Sequence, residues 1–279
     1  MRSEASRFVL IGDPVAHSRS PHLYRAAFAM LGVRAAYDAV RVPAGRPDLV
    51  SPAMWEAAAT GGGNVTLPHK GAAAGAAQWL SAAARRTKAA NCFWLDEAGR
   101  LAADNTDVDG FRLAAAEIPD LDLNGAHVLL LGAGGAARAV ALACRAAGAR
   151  RIDVLNRTPE RARDLVREVD IGEHARVVSV PAGDTTYDLV VNATRLGLRP
   201  GDPLPLSFDE VRASFAIDLV YGADGTAWTA HARSHGVAAH DGMSMLVHQA
   251  ALCLERWLGR ELPRRRLISA MREAGGRGS

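Results

Sequence analysis

Gly132-Ala133-Gly134-Gly135-Ala136-Ala137 is the segment that most restricts the folds open to this chain. It follows the apolar run His127 to Leu131 and opens an alanine-rich stretch from Gly135 to Ala147. Strand, glycine turn and helix in that order form the phosphate-binding start of a βαβ unit. Glycines let the backbone turn tightly and approach a pyrophosphate, while the helix N-terminus offers unpaired N–H groups and partial positive charge. The chain beyond repeats the theme with a strand at Arg151 to Leu155, a helix at Pro159 to Val169 and strands at Val177 to Val180 and Leu189 to Val191. A last strand at Phe215 to Leu219 precedes a helix from about Thr226. Such alternation predicts a parallel, doubly wound sheet.

The end of the second strand of this unit argues for a particular nucleotide. An acid there suits a ribose 2′-hydroxyl, but the chain reads Asn156-Arg157-Thr158, a neutral residue, a cation and a hydroxyl. That set suits a 2′-phosphate, which a guanidinium bonds in bidentate fashion and an acid repels. NADP is expected over NAD. Arg161, a turn further on, either adds charge or faces solvent, and Asp153, inside the strand, reads as a structural acid.

The first hundred residues read as a separate α/β unit. Phe8 to Ile11 is a buried strand ending at Gly12-Asp13-Pro14, and Ser20-Pro21 opens a helix to about Leu31 with Ser20 as its expected N-cap. Strands at Tyr37 to Val42 and Gly63 to Val65 flank a helical stretch near Pro52 to Ala59, and Asn91 to Leu95 with Leu101 to Ala103 form a hairpin. Gly61 to Lys70 puts a lysine after the turn Thr66-Leu67-Pro68, a position that reads equally as a helix-start surface cation or a reactive group. Asp104-Asn105-Thr106-Asp107 then gathers polar groups where the first unit hands over to the second, through a bridging helix from Asp107 to about Glu117. Ligand sites favour such junctions, and a cleft is expected there. Met243 to Trp257 reads as a helix returning to the first unit. The expected fold is therefore α/β: a substrate domain at 1–106, a Rossmann-type NADP-binding domain at 107–241 and returning C-terminal helices at 242–279.

Composition removes several other classes. A chain of 279 residues that is 49% hydrophobic is long enough for a buried core, and a formal charge of +3 with dispersed arginines lacks the basic stripe of a nucleic-acid binder. Arg264-Arg265-Arg266 reads as a solvated helix face. Three cysteines without CxxC spacing imply a reducing, cytoplasmic setting, and neither a signal-peptide pattern nor a membrane-length apolar run is read in the sequence. No cluster with metal-ligand spacing stands out, so no metal is expected. The expected partner is a small molecule, and the chain suits a monomer or a homodimer.

Read together, Gly12-Asp13-Pro14-Val15-Ala16-His17-Ser18-Arg19-Ser20-Pro21, Asn64-Val65-Thr66-Leu67-Pro68-His69-Lys70, Asp104-Asn105-Thr106-Asp107, the Gly132 turn, Asn156-Arg157-Thr158, Asn192-Ala193-Thr194, Asp218-Leu219-Val220-Tyr221 and Gly242 to Gln249 resemble the shikimate dehydrogenase family, from about Gly12 to Gly259. That resemblance implies NADPH-dependent reduction of 3-dehydroshikimate to shikimate. It implies that Ser18 and Ser20 bind the substrate carboxylate with Tyr221 nearby, and that Thr66, Asn91, Asp107 and Gln249 meet ring hydroxyls. Lys70 is the implied catalytic residue, paired with Asp107. Gly132, Ala133, Gly134, Gly135, Ala136, Asn156, Arg157, Thr158, Arg161, Thr194, Leu219 and Gly242 are implied on the cofactor.

The residue types suit that chemistry. Hydride delivery to a ketone builds charge on oxygen, which a protonated lysine stabilises and then neutralises. Serines orient a carboxylate, and a polyhydroxylated ring demands matched polar partners. Taken singly, Asn91, Tyr221 and Gln249 read as ordinary structural polar or aromatic residues, and His17 and His69 as turn residues. Three positions depart from the family pattern: Lys88-Ala89-Ala90-Asn91-Cys92 replaces Gly-Ala-x-Asn-Thr, Ala223 replaces a proline, and Arg195 replaces a small or polar residue. These departures leave room for a quinate or aminoshikimate dehydrogenase paralogue. A non-catalytic NADP-sensing protein is the rival from another class.

Overall fold

The computed structural model describes residues 6–16, 18–181 and 185–276, so His17 lies outside the described residues. The chain forms two compact units, Met1–Gly110 with Leu246–Ser279 and Phe111–Met245.

The first unit is built on a six-stranded mixed sheet. Its strands are β1 (Ser6–Gly12), β2 (Ala35–Arg41), β3 (Gly61–Val65), β4 (Trp79–Leu80), β5 (Cys92–Leu95) and β6 (Leu101–Asp104), in the order β2-β1-β3-β5-β6-β4. β1 pairs in parallel with β2 and β3, so the run Phe8 to Ile11 is buried on both faces and apolar throughout. β5 turns back antiparallel to both β3 and β6. Ile11, Val50, Met54, Val65, Phe93 and Leu101 anchor the core on one side, beneath α2 (Val50–Ala58).

Helix α1 (Ser20–Leu31) begins one residue earlier than its sequence suggests. Arg19 occupies the N-cap and Ser20 is already helical, so Ser20 makes no capping bond. Pro21 takes the second helical position, where its missing N–H costs no helical hydrogen bond. Instead, Ser18 Oγ accepts the Ser20 N–H at 3.2 Å.

Short helices α3 (Lys70–Ala76) and α4 (Ala82–Thr87) follow β3 and β4. Lys88 ends α4 in the left-handed conformation, φ 49° and ψ 35°. A side chain there carries a steric cost that glycine avoids, which gives a physical reason for glycine in the family pattern at this position.

The chain enters the second unit within α5 (Asp107–Ala115) and leaves it within α9 (Met243–Leu258). Arg264, Arg265 and Arg266 are exposed at the start of α10 (Arg264–Gly276), and the Arg19 guanidinium on the approach to α1 donates to the Gly275 carbonyl. The second sheet is parallel throughout. Its strands are β7 (His127–Leu131), β8 (Arg151–Leu155), β9 (Ala175–Val178), β10 (Thr186–Asn192), β11 (Arg212–Asp218) and β12 (Ala238–His240), ordered β12-β11-β10-β7-β8-β9. Helices α6 (Gly135–Ala146), α7 (Pro159–Val169) and α8 (Ala227–Ser234) connect them. The strand order reverses between β7 and β10, the topological switch point of a doubly wound sheet, outside whose carboxyl ends ligands bind.

Candidate active site

In the first unit, the ends of β1 and β3 are tied together. Thr66 donates its N–H to the Ile11 carbonyl at 2.8 Å, and Asp13 donates its own to the Leu67 carbonyl at 3.0 Å. Asp13 Oδ1 accepts from Arg41 Nε at 2.8 Å, and that guanidinium holds the Asp13 carboxyl below its ordinary range. The turn bearing Ser18 and Ser20 is thereby fastened beside the turn bearing Thr66. His69, buried, engages the Val42 carbonyl through Nε2 at 2.8 Å, which accounts for it as a turn residue.

Lys70 starts α3 and Asp107 starts α5, and Lys70 Nζ lies 2.5 Å from Asp107 Oδ2. The lysine side chain retains 16% exposure and the aspartate 6%, so the lysine keeps some access to solvent while its partner is enclosed. Behind the pair stands Asn91. Its amide donates to Asp107 Oδ1 at 2.9 Å and to Gln249 Oε1 at 3.0 Å, and its Oδ1 accepts the Thr106 N–H at 2.8 Å and the Thr106 hydroxyl at 3.2 Å. Gln249 in turn donates to the Leu246 carbonyl of its own helix at 2.8 Å.

Lys70, Asp107, Asn91 and Gln249 thus form one connected polar chain from separate parts of the sequence, with Thr66 one turn before the lysine. Beneath it lie three residues given no role from sequence. Asn64 donates to the Asn91 carbonyl at 2.9 Å and accepts from Tyr37 Oη at 2.8 Å. Cys253 Sγ lies 3.1 Å from Asn64 Nδ2 and 3.2 Å from Thr106 Oγ1. A buried asparagine in an otherwise apolar strand was the available signal. Cys92 is fully enclosed, and burial pushes its thiol well above the ordinary range, as it pushes Cys144 up to about 12. Both are inert fillers rather than nucleophiles.

In the second unit, Gly132 follows β7 with φ 107°, and a Cβ there would stand 2.9 Å from the Ala193 carbonyl oxygen. Two turns at the switch point therefore touch through backbone. Gly134 caps α6 without any side-chain bond, and a Cβ on it would meet open space. Free N–H groups beside open room suit a pyrophosphate. Ala137, fully buried, keeps α6 against the sheet.

Asn156 donates to the Thr158 carbonyl at 2.7 Å, shaping a turn on which Arg157 and Thr158 are exposed, and Arg161 is exposed a turn later. The residues present fit a nucleotide carrying a 2′-phosphate. Asp153 is wholly buried and bonded to Arg151 Nε at 2.8 Å, His127 Nε2 at 3.0 Å and Tyr187 Oη at 3.2 Å, a structural acid.

On the other side of the switch point, Thr194 donates through Oγ1 to Asn192 Oδ1 at 2.7 Å. Asn192 Nδ2 donates to Asp218 Oδ1 at 2.8 Å. Burial raises the Asp218 carboxyl, against the pull of Thr226, the Val220 N–H and Asn192. Gly242 packs against Leu219, whose carbonyl oxygen would lie 2.3 Å from a Cβ at position 242. Tyr221 is half-buried after β11, in the unit that carries these cofactor-turn residues.

Comparison with known proteins places these geometries in context. The family model described as "Shikimate dehydrogenase substrate binding domain" matches residues 10–93, and that described as "Shikimate / quinate 5-dehydrogenase" matches residues 112–196. The chain is 37% identical over 257 residues to a shikimate dehydrogenase (NADP(+)) of Geobacillus kaustophilus, covering 90% of this chain and 91% of that protein. Among solved structures, a shikimate 5-dehydrogenase of Thermus thermophilus in complex with shikimate aligns with a TM-score of 0.80 and 37% identity, covering 98% of this chain and 100% of that one. The same enzyme in complex with NADP(H) and shikimate aligns with a TM-score of 0.77 and 36% identity, covering 96% and 99%.

Proposed function

The chain belongs to the shikimate dehydrogenase family, and from that premise we propose that it interconverts 3-dehydroshikimate and shikimate with NADP(H) in aromatic amino-acid biosynthesis. The observation that carries this reading is the Lys70–Asp107 pair at 2.5 Å, wired through Asn91 to Gln249. Residues 1–106 and 242–279 are assigned as the substrate part and residues 107–241 as the cofactor part, apart from Asp107 and Tyr221, assigned to the substrate, and Gly242, assigned to the cofactor.

When bound, NADPH supplies the hydride that reduces the ring carbonyl. Lys70 holds its Nζ proton next to the oxygen that gains charge, and transfers it as the C–O⁻ becomes C–OH. Asp107 orients that ammonium through Oδ2 while its Oδ1 is held by Asn91. Thr66, Asn91, Asp107 and Gln249 supply ring-hydroxyl partners, and Ser18 and Ser20, with Tyr221, orient the carboxylate without adding charge. Arg157, aided by Thr158 and Arg161, holds the 2′-phosphate, and the backbone from Gly132 to Ala136 holds the pyrophosphate. Thr194, Leu219 and Gly242 line the remainder of the cofactor site. Among the described residues no helix is long and apolar enough to cross a membrane. All three cysteines are free, which supports a cytoplasmic setting.

The test is initial-rate measurement by nicotinamide absorbance with shikimate, quinate and aminoshikimate, each with NADP and NAD. Shikimate with NADP is expected to give the highest kcat/KM. Preference for quinate or aminoshikimate would make the protein a paralogue of different specificity. Absence of turnover in a folded, NADP-binding protein would restore the sensor reading.

A further inference from the structure

In the second unit, away from the residues given roles above, an Asp209 carboxylate oxygen and ring nitrogens of His231 and His235 all lie within 4.8 Å of one another. The two histidines are four residues apart at the end of α8, so their rings project from one face, with centroids 4.4 Å apart. Asp209 comes from the connection between β10 and β11. Sequence spacing alone did not mark the cluster, because its third member arrives through the fold.

Neighbouring backbone fixes the proton on each ring. His235 Nδ1 lies 2.9 Å from the His231 carbonyl oxygen, which only accepts, so Nδ1 carries the hydrogen. His231 Nε2 receives the Phe208 N–H at 3.0 Å, which only donates, so that nitrogen presents a lone pair. In the neutral ring, His235 Nε2 then points a second lone pair at Asp209 Oδ1, 2.9 Å away. Two lone pairs at that distance repel unless a cation, a proton or a metal ion, sits between them. Metal-bound histidines usually donate their other N–H to a backbone carbonyl or carboxylate, the arrangement His235 already has. Ser207 Oγ donates to Asp209 Oδ2 at 2.6 Å and leaves Oδ1 directed at the imidazole.

We propose that Asp209, His231 and His235 form a binding site for a divalent transition-metal ion. Two imidazoles and one carboxylate favour zinc, nickel or copper over magnesium or calcium. The ion takes the place of a proton on His235 Nε2 and competes with the Phe208 N–H for His231 Nε2. That competition, together with the exposure of Asp209, weakens the site relative to a fully enclosed one. The bound ion clips the β10–β11 connection to α8 and braces the second unit without entering the reaction.

Tag-free, chelator-stripped full-length protein titrated with zinc by calorimetry tests the site, with magnesium as control and cobalt as a spectroscopic probe. One zinc per chain, no magnesium heat and a visible cobalt absorption band are expected. His235→Gln and Asp209→Asn, each checked for folding by its metal-free melting temperature, should weaken zinc by about tenfold or more. Turnover of shikimate should stay unchanged in both. No saturable zinc binding, or the same affinity in wild type and in both variants, would overturn the proposal.

Discussion

The proposed phosphate turn of the second unit and the polar chain of the first are built from different material. Around Gly132 and Gly134 the groups proposed to bind are backbone N–H donors, held by the close approach of Gly132 to Ala193 and by a helix cap that lacks any side-chain partner. Around Lys70 they are side chains, each oriented by another side chain: Asp107 by Asn91, and Asn91 by the Thr106 hydroxyl and Gln249. Backbone donors can be lost only by distorting the main chain. Side-chain donors can be removed singly, and their loss leaves buried partners unpaired.

Removing the lysine tests the side-chain half at its reacting end. Lys70→Ala should lower kcat by about a hundred- to ten-thousand-fold, with Michaelis constants within a few-fold, as expected for a group acting in the transition state. Near-normal turnover would take Lys70 out of the mechanism. The matching test of the backbone half is Gly132→Ala, which forces a side chain into φ 107° and against a carbonyl 2.9 Å away. A cost of about 1–3 kcal/mol is expected, read as a lower melting temperature together with weaker binding of NADP and NAD alike. A variant that binds both normally would show that the turn tolerates a Cβ and that its geometry is not specified by glycine.

That same difference decides what the sequence makes legible. Strand, glycine turn and helix at His127 to Ala147 are consecutive, so periodicity and glycine spacing alone locate the phosphate turn. The polar chain joins Asn91 to Gln249 across 158 positions, a separation that no local pattern reports. Only the ordered family motifs point to those residues; they include Asn64 without giving it a role and miss Cys253, both of which lie beneath the polar chain. The Ser20 cap fails locally: a serine before proline matches a capping signature, yet the helix begins one residue earlier, with Arg19 at the cap. β4, two residues long, and β12, three residues long, are too short to carry an alternating pattern.

Cofactor specificity is proposed to rest on a side chain, Arg157. Arg157→Ala should weaken NADP by about ten- to a hundred-fold, the worth of a charge-assisted bond of about 1.5–3 kcal/mol. NAD, lacking the 2′-phosphate, should change little. Equal loss for both cofactors would place Arg157 on a group they share and would undo the 2′-phosphate assignment.

The smallest effect should come from the layer beneath the polar chain. Cys253 Sγ touches Asn64 Nδ2 at 3.1 Å and Thr106 Oγ1 at 3.2 Å, and both neighbours support Asn91. Cys253→Val keeps the bulk but withdraws the acceptor, stranding a buried amide N–H at a cost of about 1 kcal/mol or somewhat more. The Michaelis constant for shikimate should rise a few-fold with kcat nearly unchanged, because Asn64 supports Asn91, a proposed substrate partner, and not the proton donor. Cys253→Ser, which restores a hydrogen-bonding atom, should recover most of the Michaelis constant. If valine and serine variants instead fall together in kcat, the layer orients Lys70 through Asp107, and the division between binding and reacting groups in this half is less sharp than the two hydrogen bonds to Asp107 imply.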